Sequence, residues 1–181
     1  MKIVLLTKSP VPKRGRIGKY EDQDWYRSCE EAAWLLKEMR AIGDQTAKIL
    51  VPTMVQMDKC LPEGAVYAHA LIRLGLKPDD FEIVSQGHET IEQVEYGLGL
   101  MEQDGAVTFV STLLHFPRIW WLCFRSNRDG TIDHIVVGGL PRPREALTDL
   151  ALVFLFPVID LFGGRNWFQE WVIARRKAGK L

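Results

Sequence analysis

The sequence predicts an α/β fold in which a mostly parallel sheet of about five strands is flanked by helices in a Rossmann-like, three-layer arrangement. Short apolar or β-branched runs alternate along the chain with longer segments of helical period. Two of the short runs, KIVLL at 2–6 and AVTFV at 106–110, are apolar almost throughout, as is typical of strands buried on both faces. The 181 residues, 47% of them hydrophobic, are enough to bury one sizeable core.

The individual elements follow from residue spacing. Five strands are predicted, at 2–6, 47–51, 81–85, 106–110 and 132–137. Four helices are predicted between them, at 22–42, 63–74, 89–102 and from about 116 onward. Apolar residues recur at spacings of three and four in these helices, and Gly43 and Gly75 end the first two. Proline at position 117 suits the first turn of the fourth.

The last forty residues differ in composition from the rest of the chain. Residues 146–162 are almost all apolar and precede a pair of glycines, which predicts a buried helix, a turn and a terminal amphipathic helix packed on the sheet. We therefore treat residues 1–181 as a single domain with 143–181 as a C-terminal helical extension. The alternative is an interaction surface, because aromatic residues stand beside a basic run at 175–177. Such a surface would pair two copies as a homodimer or, as we favour less, contact a membrane.

Composition excludes several classes of protein. The 23 basic and 23 acidic side chains cancel, so no overall charge draws the chain to nucleic acid, and we expect no nucleic-acid partner. The three cysteines form no CxxC pair, and the four histidines show no HxxxH spacing, so no metal site is predicted. The apolar runs are too short for a membrane span or a signal peptide. We expect a cytoplasmic protein.

Polar residues follow the first four predicted strands, at the edge where open parallel sheets bind ligands. After the first strand comes a long loop rich in lysine and arginine, and then Arg27, one turn into the first helix. We expect the loop at 9–23 to cover part of this edge and Arg27 to reach back over it. Thr53 follows the second strand. The GxGxxG and GxxxxGK[ST] patterns are both missing here, which argues against a standard dinucleotide site and a P-loop.

The third and fourth strands lead into helix N-termini that suit an anion. The polar residues after the third strand are Ser85, Thr90 and Glu92, and those after the fourth are Ser111, Thr112, His115 and Arg118. Backbone N–H groups without helical partners favour an anion at such a terminus, although Glu92 also fits a role in balancing the helix dipole. Histidine is a side chain that can titrate near neutral pH, and Arg118, three residues after His115, offers a planar fork of donors on the same helix face.

Taken in this order, the segments resemble the bacterial YdcF, SanA and ElyC family, a domain of unknown function. The resemblance covers about residues 2–137 and rests on RSCEEAAWLL in the first helix, SQGHETIE after the third strand and VSTLLHFPRI after the fourth. The family's last two motifs read approximately S-x-N-T-x-E-N and V-T-S-x-x-H-x-x-R. Here Glu89 and Gln93 stand in place of the two asparagines of the first motif.

The resemblance implies a polar, charged pocket at the strand ends. Carried over residue by residue, its members are Arg27, Ser85, Thr90, Glu92, Ser111 or Thr112, His115 and Arg118. The family also implies a nucleotide-like ligand, for which S-adenosylmethionine has been proposed. The cofactor is otherwise unknown.

Two hypotheses of different class follow. The first is an enzyme for a small anionic or nucleotide-like substrate, in which His115 transfers a proton with Glu92 as its partner. Arginines would clamp the anion, and a hydroxyl after the fourth strand would orient it. The second is a binding module without chemistry for a nucleotide-like metabolite such as S-adenosylmethionine. Both require one set of side chains to converge on a cleft at the strand ends: Arg27, Thr90, Glu92, His115 and Arg118.

Overall fold

The computed structural model describes residues 1–7, 23–53, 56–57, 61–87, 89–126, 128–138 and 143–177. The strands in these residues are β1 (Lys2–Leu5), β2 (Lys48–Pro52), β3 (Gln56–Met57), β4 (Leu61–Pro62), β5 (Phe81–Val84), β6 (Ala106–Thr112) and β7 (Thr131–Val137). The α-helices are α1 (Asp24–Ala41), α2 (Glu63–Arg73), α3 (Thr90–Asp104), α4 (Phe116–Ser126), α5 (Pro143–Leu161) and α6 (Arg165–Lys177). A short 3₁₀ helix, Pro78–Asp80, precedes β5.

The main sheet has five strands in the order β5-β2-β1-β6-β7, and every pair in it is parallel. From β1 the chain moves outward through β2 to β5, and it then returns to the other side of β1 to form β6 and β7. The strand order therefore reverses between β1 and β6, where open α/β sheets have a crevice at their carboxyl ends. The predicted Rossmann-like α/β fold with about five strands is confirmed.

Two apolar layers hold helices on the two faces of the sheet. Because side chains alternate along a strand, Ile3 and Leu5 pack with α1 and α2, whereas Val4 packs with α3 and α4. Trp25 of α1 and Tyr67 of α2 lie side by side in the first layer, with ring centroids 5.3 Å apart. The two layers fix the first turns of the helices over the carboxyl ends of the strands.

The C-terminal helices form an additional layer on one face. The expectation of a buried helix over 146–162 is wrong for its outer side: Phe156 is fully buried, but Phe154 and Leu161 are 69% and 60% exposed. The terminal helix was expected to pack on the sheet, and its Phe168 lies in the cluster that also contains Val4 and Phe109 of the sheet. Phe156 and Phe168 join the core cluster of Ile119 and other residues of α3 and α4, so α5 and α6 cover those helices.

Two further details concern the rest of the chain. The small antiparallel pair β3–β4 was not predicted. Its strands have two residues each, too few to show a periodic pattern.

Among the described residues, no helix combines the length and apolar character that crossing a membrane requires.

Candidate functional site

Buried hydroxyl groups line the carboxyl edge of the sheet on both sides of the switch in strand order. Thr7 follows β1, Thr53 follows β2, and Ser111 and Thr112 end β6, and each is at most 5% exposed. The register pairs Leu5 with Val110, so Thr7 and Thr112, two residues further along their strands, lie at the same level. The positions predicted for Thr53, Ser111 and Thr112 at this edge therefore agree with the structure.

The first polar group at this edge, the Glu63 cluster, consists of Thr7, Thr53 and Glu63. Glu63 opens α2 and is 1% exposed. The hydroxyls of Thr7, at 3.0 Å, and of Thr53 both donate to its Oε2 atom. Its Oε1 atom is buried and has no hydrogen-bond partner among the described residues. An oxygen of this kind is costly to bury, so the cluster lacks one donor.

A second buried acceptor without a partner lies at the same level of the sheet. The Oγ1 atom of Thr112, a residue that is 4% exposed, makes no hydrogen bond within the described part of the chain. Thr112 is level with Thr7, whose hydroxyl already donates to Glu63. Since buried polar atoms in proteins are nearly always paired, Glu63 Oε1 and Thr112 Oγ1 are the atoms at this edge that a polar ligand would satisfy.

Gln93 ties the first turn of α3 to the Glu63 cluster. Its side-chain amide donates to Thr7 Oγ1 at 2.7 Å and to the Gly87 carbonyl at 3.5 Å, and its oxygen accepts the Thr7 backbone N–H at 3.3 Å. Gly87 has φ +89°, and a Cβ there would lie 2.6 Å from the Gln93 side chain. Only glycine fits this turn without moving Gln93.

The second polar group, the Arg118 cluster, consists of Glu89, Thr90 and Arg118. Arg118 Nη2 donates to Thr90 Oγ1 at 2.5 Å, and both side chains are at least nine-tenths buried. Glu89 precedes α3 and accepts the Glu92 backbone N–H at 3.1 Å, which caps the helix. Burial raises the pKa of Glu89, although the Ile91 backbone N–H and the positive charge of Arg118 oppose this shift.

His115 lies in the turn between β6 and α4, beside an acid from the C-terminal extension. Its Nε2 atom is 3.6 Å from Asp149 Oδ1 of α5, and both side chains are about nine-tenths buried. Asp149 was not singled out in the sequence, where it lies in a segment read as apolar. Glu92, the predicted partner of His115, accepts a 3.0 Å hydrogen bond from Gln169 of α6. A carboxylate at this distance can orient an imidazole ring and stabilise the charge it gains on protonation.

The remaining predicted residues lie at the outer strands of the same edge. The Arg27 side chain is exposed and donates to the carbonyl of Gly138, just after β7, at 3.5 Å. Ser85 is exposed and follows β5, the strand at the opposite end of the sheet. The structure therefore brings Thr90 and Arg118 into direct contact and places Arg27 and Ser85 further out. The predicted cover at 9–23 lies outside the described residues, apart from Gln23.

Within the described ranges, no three His, Cys, Asp or Glu side chains are grouped so that they could hold a metal ion.

Comparisons of the chain with protein-family models, curated proteins and solved structures find no match.

Proposed function

We propose that this chain is a YdcF-like enzyme that acts on a small anionic or nucleotide-like substrate at the carboxyl ends of β1 and β6. One observation carries the proposal: Arg118, held by Thr90 at the N-terminus of α3, lies three residues from the His115–Asp149 pair. His115 directly precedes α4 and its carbonyl accepts the first helical hydrogen bond, from Ile119, while Arg118 lies in the first turn, so a cation and a proton-transfer group are carried by one helix start at the sheet edge.

The Arg118 cluster suits the anionic part of a substrate. A guanidinium group offers up to five N–H donors, and the bond to Thr90 holds its orientation before any ligand arrives. The start of α3 adds the positive end of the helix dipole, while its Glu92 N–H group is already bonded by the capping Glu89 side chain. A phosphate or carboxylate placed here is matched by fixed positive charge without reorganisation of the site.

The Glu63 cluster suits a part of the substrate that carries hydrogen-bond donors. Glu63 Oε1 and Thr112 Oγ1 are both without partners among the described residues, and a hydroxyl or amino group would satisfy them. Thr90 and Gln93 are three residues apart on α3, and each contacts one of the two clusters. Their Cβ atoms are therefore about 5–6 Å apart. A substrate with an anion at one end and hydroxyls at the other, as in nucleotides and sugar phosphates, matches both clusters.

In this proposal His115 is the catalytic acid or base. Asp149, whose Oδ1 atom is 3.6 Å from Nε2, balances the positive charge that the ring carries when protonated. Arg118 and Thr90 fix the anion so that the reacting group stays beside the imidazole.

The experiment is a turnover screen of nucleotides, sugar phosphates and S-adenosylmethionine, with products detected by mass spectrometry. For a compound that is turned over, His115→Gln should lower kcat about 100- to 10,000-fold. The matched control is His69→Gln, because His69 is an exposed histidine of α2. Equal turnover by the His115→Gln variant and the wild type would contradict a catalytic role for His115.

A second function, binding without chemistry, is favoured by the way the polar groups hold one another. Arg118 is bonded to Thr90, and Glu92 to Gln169, so part of the site is a structural network. For a module that binds S-adenosylmethionine or a related metabolite, thermal unfolding should show stabilisation of about 2.7 kcal/mol at a hundred times the dissociation constant. Stabilisation with no product from any compound would favour this function over catalysis.

A further inference from the structure

The outer face of α5 is apolar and exposed along its whole described length. Its large exposed residues are Leu147, Leu150, Phe154, Leu155, Val158 and Leu161, each between 48% and 69% exposed, and Phe162 follows at 88%. At 3.6 residues per turn these positions fall within an arc of about 140°. The opposite arc, which contains Phe156, packs into the core. Helices that are apolar on all sides are normally covered on all sides.

The spacing on this face matches the seam between two packed helices. Positions 147, 151, 154, 158 and 161 alternate steps of four and three, which is the spacing of the core positions of a coiled coil. They hold leucine, alanine, phenylalanine, valine and leucine. The fitting occupant is therefore another helix with an apolar seam of about the same length.

The exposed area is the size that a stable dimer needs. If a large apolar side chain presents about 150–200 Å² when fully exposed, the seven exposed residues leave roughly 700 Å² uncovered. A standard protein interface buries about 800 Å² on each partner, whereas single exposed patches on monomers seldom exceed a few hundred.

The charge pattern favours a protein partner over a lipid surface. No charged residue occurs between Leu150 and Ile159, so this face offers no group to attract an anionic headgroup. Helices that lie on membranes combine an apolar side with an opposite polar side rich in lysine and arginine. The opposite side of α5 instead packs on α4 through Phe156.

We propose that two copies of this chain associate through α5, with the outer faces of the two helices packed together about a twofold axis. In such an interface the same patch serves both copies, so the seam needs no second complementary surface. Phe154 is the middle position of the seam and lies near the axis, against its own counterpart. This proposal is independent of the function of the strand-end site.

The test is the molar mass in solution, measured by light scattering and sedimentation over a range of concentrations. The wild type should have twice the 20.7 kDa of a single chain. Phe154→Glu places two like charges near the axis and should weaken association about 30-fold or more. Trp34→Glu, at a 53% exposed position on α1, is the control and should remain dimeric. Circular dichroism of both variants checks that the fold is retained.

Three results would contradict the proposed dimer. A wild-type protein that stays monomeric at high micromolar concentration, or a Phe154→Glu variant as dimeric as the wild type, would overturn the proposal. Monomers that float with phosphatidylcholine and phosphatidylserine vesicles, and lose this with Phe154→Glu, would assign the face to lipid and overturn it as well.

Discussion

The two polar clusters at the strand ends are built in opposite ways. The Arg118 cluster contains a positive charge, and its polar groups bond one another or their own helix. Arg118 donates to Thr90, and Glu89 caps the helix that carries Thr90. The Glu63 cluster contains one acid and two hydroxyls that donate to it, and the second carboxyl oxygen accepts no hydrogen bond from a described residue. The difference suggests a division of labour: the first cluster serves both stability and anion binding, whereas the open side of the second serves binding.

The largest expected loss of stability comes from removing the positive charge of the Arg118 cluster. Arg118→Met would leave the buried acid Glu89 without the charge that favours its ionised form. We expect a loss of about 2–4 kcal/mol in the free energy of unfolding at pH 7, measured with urea. Arg128→Met, which breaks an exposed ion pair with Glu102, is the control and should cost less than about 1 kcal/mol. Equal losses in the two variants would mean that Arg118 has no special role in stability.

A smaller effect should appear in the pH dependence of stability. Burial holds the pKa of Glu89 above its ordinary value of 4.5. The folded state therefore binds a proton more tightly than the unfolded state, and the stability this provides is lost as pH rises through the raised pKa. Glu89→Gln keeps an acceptor for the Glu92 N–H but does not titrate. Its free energy of unfolding, relative to wild type, should increase as pH rises above 4.5; a constant difference would contradict the assignment.

The smallest effect on stability is expected from a substitution in the Glu63 cluster. In Glu63→Gln the remaining oxygen can still accept the hydroxyls of Thr7 and Thr53, and the new amide takes the position of the unpaired Oε1. The free energy of unfolding should change by less than about 1 kcal/mol. A loss as large as that of Arg118→Met in the same urea titration would make Glu63 a structural residue and end the contrast between the clusters.

Sequence reasoning named Thr90 and Arg118 of the Arg118 cluster, but of the Glu63 cluster it named only Thr53, for a physical reason. Thr90 and Arg118 were found because each follows a predicted strand at the start of a helix, and the parallel sheet brings those starts to one edge. Glu63 looked like an ordinary acid in the first turn of a helix. Nothing in local spacing shows that Thr7, 56 residues away, bonds it.

Local spacing also failed to show the long-range contacts of the C-terminal extension. Helical period correctly predicted helices there, because period is local. Hydrophobicity alone could not show which side of α5 is covered by the rest of the chain, nor that Asp149, one of its few acids, lies beside His115. The contact between His115 and Asp149 spans 34 residues and depends on how two helices pack.

Calorimetric titration with two probes, adenosine 5′-monophosphate and inorganic phosphate, tests the central claim that the two clusters hold opposite ends of one ligand. We expect Arg118→Met to weaken both probes about tenfold or more, because both carry the anion. Glu63→Gln should weaken the nucleotide about tenfold and leave phosphate unchanged, because phosphate alone does not reach the acid. If Glu63→Gln binds both probes as the wild type does, or if neither probe binds the wild type, the two-cluster account is contradicted.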